Sequence, residues 1–181
     1  MSASVNTSRD QPASLLTQAA AGALATASMD AAMVLASLVA PGTFSADELG
    51  LDMIGRWAAG LACLRRGRTD ITSDAQVRGE LAIGAATHYL TGVALTAAYS
   101  ELLRRSGARP GLAKATAFGL ATAALPLLVM FPSMGYGCCG RRQVEQANML
   151  RLILLGHVAF GAGIGLWTRL LTGHPASSHQ T

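Results

Sequence analysis

Charge is what this sequence has least of. Only 13% of its 181 residues are Asp, Glu, Lys or Arg, where soluble domains carry about 25%. Hydrophobic residues make up 51%, and the mean hydropathy is +0.37. That balance excludes a disordered chain and points to a membrane protein. Aromatics are scarce too, at 5%, which argues against a barrel with aromatic girdles. Lysine is all but missing: Lys114 is the single one among 14 basic residues. With no basic, aromatic-bearing face on a soluble domain, nucleic acid is excluded as a partner. No Walker loop, GxSxG elbow, kinase set or dinucleotide fingerprint occurs. GYGCCG follows an apolar run rather than a strand, so it is no phosphate cradle.

Long apolar runs are what the chain does have. Residues 1–13 are polar and expected to fray. Ser14 to Ala40 is apolar and ends at Pro41-Gly42, long enough for the ~20 residues that cross a bilayer core. A cleaved signal peptide competes for this stretch, with Ala25-Thr26-Ala27 as a cleavage site. Its n-region is poor, because Asp10 cancels Arg9, and the run continues past Asp30. Further spans are expected at 80–103, 112–135 and 149–171, with a polar tail at 173–181. Pro126 removes a backbone donor within the third span and should kink it. Gly and Ala in quantity suit closely packed transmembrane helices.

The stretch 45–66 reads differently. Ile54, Trp57, Ala58, Leu61 and Ala62 form one helical stripe flanked by Asp52, Arg56, Arg65 and Arg66. It is too short and charged to span. It suits either the headgroup plane with Trp57 turned inward, or the end of the bundle. The fold expected is therefore all-α: a four-helix transmembrane bundle with one short interfacial amphipathic helix, in a single domain over 14–172.

Four spans place both termini on one side. The 1–2 and 3–4 loops carry Arg56, Arg65, Arg66, Arg68, Arg78, Arg141, Arg142 and Arg151. The other side carries Arg9, Arg104, Arg105, Arg109, Lys114 and Arg169. The positive-inside rule puts the first group in the cytoplasm of a bacterial inner membrane and both termini in the periplasm. The Arg-rich segment then faces anionic lipid of the inner leaflet. Assembly as a homo-oligomer or within a larger membrane complex is left open.

Spans two and four share an echo, His88-Tyr-Leu-Thr-Gly92 and His157-Val-Ala-Phe-Gly161, with Gly84 and Gly165 extending each glycine face. LATA recurs in spans one and three. A duplicated two-span unit follows as a hypothesis. Asp30 lies mid-span, where an ionisable group needs a partner or a role. His88 and His157 are expected at matched depth on parallel spans, within reach of it. Asp30, His88 and His157 are thus the candidate catalytic residues and candidate metal ligands. Two imidazoles and a carboxylate suit zinc or iron, a proton relay, or a ligand pocket. Facing histidines could also hold haem. The structural alternative is a hydrogen-bonded cluster that fixes helix register. No particular cofactor is specified.

Glu80 opens span two, favourable to the helix dipole, and can pair with Arg56 or Arg78. Glu101 has Arg104 and Arg105 within one turn. Cys138 and Cys139 are vicinal and stand beside Arg141 and Arg142, which lends them thiolate character and an affinity for soft metals. Structural or incidental thiols, Cys63 included, are the alternative.

The order ATASMD, IGRWAAGL, RRGR, VRGELAIG, THYLTG, LPLLVMFPSMGYG, GHVAFGAGIGLW resembles an uncharacterised family of four-span bacterial inner-membrane proteins, a domain of unknown function. The similarity covers roughly Ala21 to Leu171. Its pattern marks Asp30, Gly55-Arg56-Trp57, Gly79-Glu80, His88-Tyr89, Pro132, His157 and Phe160-Gly161. Relatives carry a small or polar stretch at Cys138-Cys139. The resemblance implies four spans and no known activity. Three functions are consistent: a transporter-like or accessory membrane protein, an enzyme using the Asp/His set on a lipophilic substrate, or a structural subunit.

Overall fold

In the computed structural model the described residues are 14–40, 50–64, 78–143 and 145–172, the side chains of 63 and 64 excepted. The expectations for 1–13, 173–181, the start of the amphipathic segment at 45, the Cys63 thiol, and Arg9, Arg65, Arg66 and Arg68 lie outside them.

Those residues are helical and contain no strand. They form α1 (Leu15–Val39), α2 (Leu51–Leu64), α3 (Glu80–Ser106), α4 (Leu112–Ser133) and α5 (Gln146–Thr172). All but α2 are long and apolar enough to cross a bilayer. Local chemistry sets the ends. The Ser14 hydroxyl accepts the Thr17 N–H at 3.1 Å and caps α1. Gly107, at φ +64°, takes the left-handed turn that stops α3. Thus α3 runs on to Ser106 rather than Leu103, its last turn held by Glu101 bonding Arg104 and Arg105 at 2.5–2.6 Å.

α4 is not uniform. Its α-helical part ends at Thr122, a π-helical stretch follows over Leu125–Met130, and Phe131–Ser133 completes it. Pro126 has no N–H to give to the preceding turn, and the widened turn absorbs that loss. The kink expected at Pro126 takes this form.

Packing follows the small residues. α1 lies against α3 and α5, α4 against α5, and α2 against α3. A Cβ at Gly22 would stand 2.7 Å from the Val93 Cα, and one at Gly163 2.9 Å from the Ala25 Cα. Gly119 and Gly161 bring α4 and α5 together backbone on backbone. Hydroxyls in this apolar setting bond back within their own helix, Thr26 to Gly22 O and Thr96 to Gly92 O, both at 2.9 Å. The outside is leucine: Leu16, Leu38, Leu90 and Leu170 are each more than 60% exposed. A chain with glycine, alanine and threonine inside and leucine outside fits lipid as its solvent.

α2 is packed rather than lying free. A Cβ at Gly55 would overlap the Glu80 carbonyl, and one at Gly84 the Leu51 carbonyl. The Trp57 indole N–H donates to Ser133 Oγ at 2.9 Å, and Ile54 and Trp57 join a cluster with Met130, Phe131 and Met134. The helix thus packs against the bundle's end with Trp57 turned inward. Leu61 and Ala62, at the far end of its stripe, are exposed.

Candidate functional site

The helices close on a packed core in one half of the molecule and leave a hollow in the other. In the half holding the α3–α4 connection, Ala25, Tyr99, Ala115, Phe160 and Ile164 form a continuous core. Toward the opposite end lies a cavity of about 490 Å³. α1 contributes Thr26, Met29 and Met33 to its wall, and α3 contributes Thr87, His88, Thr91 and Leu95. The π-helical stretch of α4 supplies Leu125, Pro126 and Met130, and α5 supplies Met149, Leu152, His157 and Phe160. Its outer rim reaches Asp52 of α2 and Gln143 and Glu145 of the α4–α5 connection. The lining therefore extends from polar residues at one end to about mid-helix, where the packed core begins. Unbranched methionine side chains adapt to a space of irregular shape.

Asp30 and His88 meet, as the order of residues suggested. Asp30 Oδ1 lies 2.9 Å from His88 Nε2, and Asp30 Oδ2 accepts the Tyr89 hydroxyl at 3.0 Å. Asp30 is not part of the cavity wall, whereas His88 is. The carboxylate thus stands behind the imidazole and orients it. Its partner Tyr89 carried no chemistry in the sequence reading. An aromatic next to the histidine, one residue on and so on an adjoining face, was the available signal.

His157 has a different partner. Its Nδ1 bonds the Ile153 carbonyl of its own helix at 2.8 Å, and the residue is 9% exposed. Asp30 bonds His88 and Tyr89, not His157. Among the described residues no three or more His, Cys, Asp and Glu side chains are grouped to hold a metal ion. The three-residue metal set of Asp30, His88 and His157 is corrected accordingly: the two histidines share a cavity, not a ligand sphere with Asp30. The H-x-x-x-G echo diverges in the same way. Gly92 faces Thr26 of α1, while Gly161 faces Ala115 and Thr116 of α4.

Arg56 lies between two carboxylates, ion-paired to Asp52 one turn earlier and 3.5 Å from Glu80 Oε2. This pair joins α2 to the start of α3 at the rim, so the Arg56–Glu80 pairing expected from the sequence is present. Cys138 is exposed and Cys139 half-buried, with their sulfurs 3.7 Å apart. Cys139 adopts φ +54°, unusual outside glycine. The hydrogen bond with Cys138, then burial, then the neighbouring sulfur's charge raise the Cys139 thiol above its ordinary range. The thiolate character expected from Arg141 and Arg142 is thereby reversed at Cys139: the arginines do not set its titration, and the adjacent sulfur does.

The model of a family described as "Protein of unknown function (DUF2938)" matches residues 19–171. No curated protein and no solved structure matches the chain.

Proposed function

We propose, from the premise that the chain belongs to this family of unknown function, that it is a transporter-like membrane protein which holds a small organic molecule between its spans. The single observation that carries this reading is the cavity of about 490 Å³ running from the rim at Asp52, Gln143 and Glu145 to His88 and His157. Ligand sites typically measure ~300–1,000 Å³ and combine an apolar wall with a few convergent polar groups. This wall has methionine, leucine and phenylalanine with two imidazoles and several threonine hydroxyls. A metal ion needs far less room. Two residues of its wall in the middle of α3 and α4, Thr91 and Leu125, are exposed, which supports an accessible pocket rather than a sealed structural core.

An enzyme is the second reading, and the Asp30–His88 pair favours it. A carboxylate behind an imidazole that faces a cavity is the arrangement of an oriented general base. In both readings the molecule resides in the inner membrane of a bacterium, with the arginine-bearing α2–α3 and α4–α5 connections in the cytoplasm against anionic lipid and both termini periplasmic. α2 then lies at that surface.

Native mass spectrometry of the detergent-purified protein, released from its micelle after incubation with N-phenyl-1-naphthylamine, tests the reading. Retention of one probe molecule, abolished in Thr91→Trp, is expected, because the indole fills the hollow. No retention by the native protein, or retention unchanged by Thr91→Trp, overturns it.

A further inference from the structure

We infer that the molecule held in the cavity is a hydrogen-bond donor, an amphipathic alcohol, phenol or amine, read by two bare imidazole nitrogens. This deepens the ligand-pocket reading and rests on it. The argument starts from which nitrogen of each ring is already committed. A backbone carbonyl only accepts, so the His157 Nδ1 that bonds Ile153 O at 2.8 Å carries the proton. A carboxylate whose other oxygen takes the Tyr89 hydroxyl likewise accepts, so His88 Nε2 carries the proton it shares with Asp30 at 2.9 Å. In a neutral imidazole one nitrogen is a donor and the other a lone pair. With both rings neutral, His88 Nδ1 and His157 Nε2 are acceptors, and neither has a hydrogen-bond partner among the described residues.

Both rings belong to the same cavity wall, and His157 is only 9% exposed. The remaining polar groups there do not satisfy them. The Thr26 and Thr122 hydroxyls are spent on carbonyls of their own helix. Two acceptors on a wall built mainly of methionine, leucine and phenylalanine favour a guest bearing O–H or N–H groups on an apolar body. They disfavour an anion, whose oxygens would face lone pairs. A site built to bond a hydroxyl rejects the analogue that lacks it, because the buried polar group is then left unpaired.

The test uses 2-naphthol and 2-methoxynaphthalene, matched in ring and differing in the donor. Affinities for the full-length protein are measured by calorimetry in micelles pre-equilibrated with each probe, which cancels partitioning. The expected result is binding of 2-naphthol roughly tenfold or more tighter than the ether, with the ratio falling toward one in His157→Phe and in His88→Phe. Equal affinities in the native protein, or a preference for the ether, overturn the donor inference while leaving the pocket standing. Binding of neither probe, and of no N-phenyl-1-naphthylamine, overturns the pocket and this inference together. Because the native comparison decides, a variant that fails to fold leaves the test intact.

Discussion

Replacing Asp30 by Asn probes how the carboxylate acts through His88. Each Asp30 oxygen accepts one hydrogen bond, from His88 at 2.9 Å and from Tyr89 at 3.0 Å. Asn keeps one acceptor oxygen and puts an NH2 where the other stood. If the oxygen stays with Tyr89, the NH2 faces His88 Nε2, and the ring relieves the clash by moving its proton to Nδ1. The tautomer then reverses, and the cavity-facing nitrogen changes from acceptor to donor. Bonds to a charged group contribute about 1.5–3 kcal/mol each. In Asn both become neutral bonds of about 1 kcal/mol, on a side chain 21% exposed, so the expected loss of stability is about 2 kcal/mol. Tyr89→Phe removes one of those bonds and should cost about 1.5 kcal/mol, and Asp30→Ala more than either. Nitrogen-15 spectra of histidine-labelled protein in micelles report the tautomer directly. The chain has four histidines, and His88→Gln assigns the resonance. Native His88 should be protonated at Nε2 and the Asp30→Asn protein at Nδ1. A native ring protonated at Nδ1, or a tautomer indifferent to Asp30→Asn, refutes the reasoning. A loss of stability as large as that of a core truncation would show that Asp30 holds the fold rather than the ring.

Gly161→Leu should destabilise by about 3 kcal/mol, the upper end for overpacking, because its Cβ meets backbone of Ala115, Thr116 and Gly119 that no rotamer can move aside. Gly111→Ala, in extended backbone with open space, should stay within about 0.5 kcal/mol; equal effects in a denaturant titration would contradict the helix contact. Alkylation of Cys139 requires the thiolate, so its raised titration predicts slow reaction at neutral pH and an acceleration displaced to higher pH than for an ordinary cysteine. Cys138→Ser should move that profile back down, and an unchanged profile would remove the adjacent sulfur as its cause. A reporter fused after Thr181 should behave as periplasmic; strong cytoplasmic activity reverses the orientation and places Cys138 and Cys139 on the oxidising side.

Four helices, their lengths and the Pro126 disturbance were legible in the chain because each depends on local quantities. A run of about 20 apolar residues marks a span whatever its neighbours are, and a proline lacks its N–H in any context. The need of Asp30 for a partner was equally local, since a carboxylate deep in an apolar helix is too costly to leave alone. Its choice of His88 and Tyr89 over His157 was not. Both histidines stand in the same short pattern, and what separates them is the neighbour each helix meets: α1 beside α3 at Asp30, and for His157 a carbonyl of its own turn. The direction of Trp57 turned on a contact with Ser133, 76 residues away in the chain. The cavity was beyond sequence reasoning altogether. The helices meet on a packed core in one half, while methionines and a widened turn in α4 line the gap left in the other. A void is a property of how surfaces fail to meet, and that is decided only when all the helices are in place.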